Sequence, residues 1–90
     1  MGSQVPARRY FDLMARVRSL RHEVRNVAAH PTEVDATFQV IQAEVGTLFH
    51  LSTYGSDSRA SEPKVSQTIQ LDREMAALLV AALRDAFPGL

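Results

Sequence analysis

Ninety residues amount to a single domain, and ten basic and ten acidic side chains balance to a net charge of zero. Zero net charge argues against indiscriminate nucleic-acid binding, the lack of cysteine excludes disulfides and thiolate metal sites, and no apolar run nears the roughly 18 residues of a membrane span. A chain this short buries only about 60–65% of its unfolded surface, so its core is thin and pairing with a second copy is the expected supplement.

The N-terminus has no apolar stretch of the kind a secretory signal needs, and a cytoplasmic protein is expected. Charge is unevenly placed along the chain. Residues 1–30 hold Arg8, Arg9, Arg16, Arg18, Arg21 and Arg25 against Asp12 and Glu23. Residues 31–63 hold Glu33, Asp35, Glu44, Asp57 and Glu62 against Arg59 alone. Two antiparallel helices of opposite charge would account for this, as would a basic face for phosphate.

Apolar residues recur at Tyr10, Leu13, Val17, Leu20, Val24 and Val27, in steps of three and four. That period predicts a helix over about 6–29, with Pro6 in a first turn where its missing N–H costs nothing. His30-Pro31 ends it, because the residue before proline is pushed out of the α region. Thr32 then reads as a cap, with Glu33 and Asp35 in the first turn. A second seam of Val34, Phe38, Ile41, Val45 and Leu48 predicts a helix over about 32–52. Two matching seams joined by a short turn describe an antiparallel helical hairpin.

Residues 53–63 are rich in Ser, Gly and Asp without apolar periodicity, which predicts a loop. Residues 64–71 alternate, with Val65, Ile69 and Leu71 against Ser66, Thr68 and Gln70, and predict a short extended segment. Asp72 caps a predicted helix over about 72–87, with Met75, Leu78, Leu79, Ala82, Leu83 and Phe87 as its apolar face and Pro88-Gly89 as its stop. The expected fold is therefore mainly α and one domain over 1–90. It comprises the helical hairpin, a short strand-like segment and a third, C-terminal helix, doubled in a homodimer into a helical bundle. Phe11, Met14 and Phe49 would supply apolar surface outside the hairpin seam.

Arg25, Asn26 and His30 stand where that hairpin turns, spaced R-N-x-x-x-H. An Arg gives a phosphate a rigid donor fork, and a His can move a proton near neutral pH. On these residues the chain resembles the HEPN superfamily over about Arg18–Leu48. The resemblance implies a metal-independent ribonuclease of toxin–antitoxin or phage-defence type, with RNA as substrate and a site completed across a homodimer. Arg25 would then stabilise phosphate charge, His30 act as acid or base, and Asn26 orient one of them. The aromatic position that often follows the His in that group is missing here.

Two further histidines carry less. His22, Glu23 and His30 share no i, i+4 face, so no metal site is expected, and His50 reads as a cation near a helix end. The run from Gln67 to Leu79 resembles the strand and first helix of a ribbon-helix-helix DNA-binding antitoxin. That resemblance implies strand pairing between two copies, with Thr68 and Gln70 reaching the DNA major groove. The second helix of that motif has no counterpart before Leu90. No cofactor is expected. The leading expectation is a small non-enzymatic interaction or regulatory protein acting through homodimerisation and a protein partner, with the ribonuclease as the alternative.

Overall fold

The computed structural model describes residues 13–55 and 65–90. Four strands and one helix follow one another: β1 (Met14–Arg16), β2 (Ala36–Ala43), β3 (Gly46–Tyr54), β4 (Val65–Leu71) and α1 (Arg73–Ala86). The strands form one sheet in the order β1-β4-β3-β2, with β1 parallel to β4 and the other neighbours antiparallel.

The mainly α fold, the helical hairpin and the helical bundle are thus corrected. Where a helix over 32–52 was expected, β2 and β3 form a hairpin in continuous register from Ala36↔Thr53 to Ala43↔Gly46. The physical reason lies in residue type. Thr37, Phe38, Val40, Ile41, Thr47, Phe49, Thr53 and Tyr54 are β-branched or aromatic, shapes that suit a pleated surface and lose side-chain freedom in a helix. Glu44-Val45 make the turn, and Gly46 takes φ +119°, where a side chain would be strained. The helix expected over 6–29 is also absent from its described part: residues 14–16 are β1, and residues 17–30 run irregularly. The later part of its seam is uncovered, with Val24 and Val27 86% and 74% exposed. Thr53 and Tyr54, expected in the loop, are the end of β3, while residues 6–12 of the expected helix, Phe11 among them, residues 56–63 of the expected loop and Lys64 of the expected extended segment lie outside the described residues.

Towards the C-terminus, the alternating segment is β4, and Asp72 caps α1 by accepting a hydrogen bond from the Met75 N–H at 2.9 Å. An extended Asp at this position satisfies a helix donor that has no partner in its own turn. The strand is not alone: β1 lies on one side and β3 on the other. Over Thr68–Gln70 its outer side is taken by β1, so the strand pairing between copies implied by the ribbon-helix-helix resemblance has no free edge along that stretch.

Three backbone bonds fix which way each strand's groups face. Tyr54 N–H donates to the Asp35 carbonyl at 3.0 Å, Thr68 N–H to Leu13 at 2.8 Å, and Val17 N–H to Gln70 at 2.9 Å. Antiparallel ladders alternate between hydrogen-bonded and non-hydrogen-bonded pairs, the latter with closer side chains. In this register, odd-numbered β2 residues aim their N–H and C=O at β3, and His50↔Gln70 and Ser52↔Thr68 are non-bonded pairs between β3 and β4. Their side chains accordingly meet: Ser52 Oγ and Thr68 Oγ1 are 2.8 Å apart and buried, and Gln70 Nε2 lies 3.0 Å from His50 Nδ1. Among the described residues the buried apolar side chains are Leu48, Leu71 and Met75, each contributing about 1.5–3 kcal/mol by burial.

Candidate functional site

The two sheet faces differ sharply. Strand alternation puts Phe38 and Val40 on one face with Phe49, Leu51, Ile69 and Leu71. Leu71 is buried at the end that leads into α1, but Phe38 is 66% exposed and Val40 58%. The Phe38 and Phe49 rings stack across β2 and β3 on this face, with centroids 5.2 Å apart. The opposite face carries the buried Leu48, Ser52 and Thr68 and the His50–Gln70 bond.

Helix α1 is the second apolar surface. Met75 through Leu83 contains no polar side chain, yet Met75 alone in the helix is buried. Leu78, Val80 and Leu83 stand exposed, and Phe87 just beyond the helix does too. A helix that is apolar on all sides is ordinarily enclosed on all sides. Leu20–Glu23 runs beside it, and together with Leu78, Leu79, Ala82 and Asp85 bounds an open groove of about 740 Å³.

The connection from β1 to β2 supplies the third feature. These strands are the two outer strands of the sheet, three strand spacings or about 14 Å apart, and residues 17–35 are longer than that span requires. Connections this long without secondary structure commonly carry binding functions. Arg18, Arg21 and Arg25 are exposed along it.

Arg25, Asn26 and His30 all lie in this connection, on exposed irregular backbone and not at a helix turn. Arg25 Nη2 donates to Glu23 Oε1 at 3.3 Å, an exposed pair of the kind that contributes little. His30 Nδ1 accepts the Thr32 N–H at 3.0 Å, which assigns the neutral ring's proton to Nε2. Among the described residues no hydrogen bond joins Arg25, Asn26 and His30 to one another. Thr68 is buried and Gln70 is engaged with His50, so neither is displayed for a DNA groove. No group of three metal-binding side chains is found among the described residues, and none of their helices is long and apolar enough to cross a membrane.

The outer edge of β2 is the feature that sequence reasoning missed. Ala36–Ala43 contains neither charge nor proline, the devices with which exposed edges are usually blunted. That composition is legible in the sequence, but its meaning depends on a strand order that it does not encode locally. No protein-family model matches the chain, and no curated protein or solved structure matches it either.

Proposed function

We propose that this protein is a small cytoplasmic interaction or regulatory module, non-enzymatic, that works as a homodimer and engages a protein partner. One observation carries the reading: large apolar side chains on two separate elements, the Phe38/Val40 sheet face and the Leu78–Leu83 stretch of α1, stand in water in the isolated chain. Monomeric proteins rarely leave contiguous apolar patches uncovered, and such patches mark association sites. The thin core points the same way, since burial against a second copy adds the apolar contact that a short chain lacks.

Two readouts test it together. The expected result is a two-chain mass in solution at micromolar concentration, with wild-type, Arg25→Ala and His30→Ala chains alike in mass and equally inert in an RNA-cleavage assay. A single-chain mass contradicts the homodimer. An RNA-cleaving activity present in the wild type and lost in both variants contradicts the non-enzymatic reading and favours a ribonuclease built on Arg25 and His30.

A further inference from the structure

We infer that the outer edge of β2 pairs antiparallel with β2 of a second copy, about a two-fold axis at Gln39, joining two four-stranded sheets into one of eight strands. The inference rests on the homodimer reading and places the contact between copies at the sheet edge, which leaves the Phe38/Val40 face and α1 for the protein partner.

Backbone direction comes first. Odd-numbered β2 residues aim their N–H and C=O at β3, as the Tyr54–Asp35 bond and the register require. The groups of Ala36, Phe38, Val40 and Gln42 therefore point outward, and among the described residues no strand receives them. Unpaired strand edges are templates for another strand.

The outward set is symmetric about Gln39. An antiparallel two-fold centred there sets Phe38 against Val40 of the second copy and Ala36 against Gln42, with the same pairs repeated in reverse. All four outward residues of each copy are then bonded. A slip of two residues in either direction leaves one of the four pairs unmade. A slip of one sets outward groups against groups already bonded to β3. The register is thus chosen by the hydrogen-bonding pattern itself.

Side chains agree with this choice of occupant. Phe38 and Val40 lie on the apolar sheet face, so the pairing continues that face from one copy into the next. Within β2 no like charges are brought together, because the strand has none. An isologous contact of this kind closes on itself. The opposite edge, β1, is three residues long and is a poor template for further addition.

Because the chain has no cysteine, one introduced thiol can report the axis. Gln39 faces its own copy as a non-hydrogen-bonded pair, with Cα atoms about 4.5 Å apart, within reach of a disulfide. Thr37, on the same sheet face, is displaced from its copy by four residues, about 13 Å, beyond that reach. The test oxidises Gln39→Cys and Thr37→Cys chains separately and measures the mass of a Val40→Pro variant. Proline at position 40 removes an outward N–H and leaves the ladder to β3 intact, as edge prolines do.

Expected are a disulfide-linked pair from Gln39→Cys and none from Thr37→Cys. Dimer affinity should fall at least tenfold in Val40→Pro, with near-native circular dichroism. If the wild type has a two-chain mass but Gln39→Cys does not crosslink and Val40→Pro stays dimeric, the edge pairing is wrong and the homodimer reading stands. Equal crosslinking at both positions likewise overturns the register. A wild type of single-chain mass removes both.

Discussion

Leu71→Ala should lower the free energy of unfolding by about 2–5 kcal/mol, the range for emptying a packed leucine site. Leu71 is 4% exposed and stands where the sheet passes into the helix, opposite Phe49 and directly before the capping Asp72. Thr47, Phe49, Arg73 and Ala76 line a recess beside it, so removing its side chain loosens both the β3–β4 end and the seat of α1. Domains of this size hold roughly 0.05–0.15 kcal/mol per residue, so the loss is a large part of the total. Urea unfolding at fixed chain concentration measures it, since association shifts apparent stability. Leu90→Ala is the contrast: at 69% exposure it should move stability by no more than about 0.5 kcal/mol. A Leu71→Ala loss below about 1 kcal/mol would show that this residue does not anchor the core.

The buried hydroxyl pair should behave asymmetrically. Ser52→Ala removes one partner and leaves the Thr68 hydroxyl buried at 3% exposure with its 2.8 Å contact gone. An orphaned buried polar group costs about 1–3 kcal/mol, whereas removing both partners with shape retained can be nearly neutral. Ser52→Ala and Thr68→Val should therefore each destabilise, and the double variant should lose less than the sum. A double-variant cycle read by urea unfolding gives the coupling directly. Simple additivity of the two losses would mean that the hydroxyls do not depend on each other.

What the sequence revealed, and what it concealed, follows from how far apart the deciding contacts lie. β4 and α1 were legible because their signals are local: the period-two alternation of Val65–Leu71, and Asp72 three residues before the N–H it caps. The β2–β3 hairpin was concealed by coincidence. Val34, Phe38, Ile41, Val45 and Leu48 satisfy a helical period, yet in the sheet Phe38 and Ile41 point to opposite faces. Residue type argued against the period there, and Gly46 marked the turn, but neither outweighs a five-residue seam read alone. The basic first third misled in another way, because a seam defines a helix only when something covers it, and Val24 and Val27 face solvent.

The candidate site divides along the same line. Arg25, Asn26 and His30 were visible because they are close in sequence, and the structure sets them on an exposed connection with no bond among them. The β2 edge was invisible because being an edge is a property of the whole sheet. Phe38 reads as part of a helical seam until β3 is known to occupy one side of its strand only.

Amide hydrogen exchange along β2 tests most directly whether that edge is where the chain completes itself. Gln39 and Ile41 N–H groups face β3 and should be protected at any concentration, which makes them the internal reference. Phe38 and Val40 N–H groups face outward, and the account predicts that their protection appears as chain concentration rises through the dimer range, towards that of their neighbours. Free exchange at Phe38 and Val40 at every concentration, beside protected Gln39 and Ile41, would contradict it.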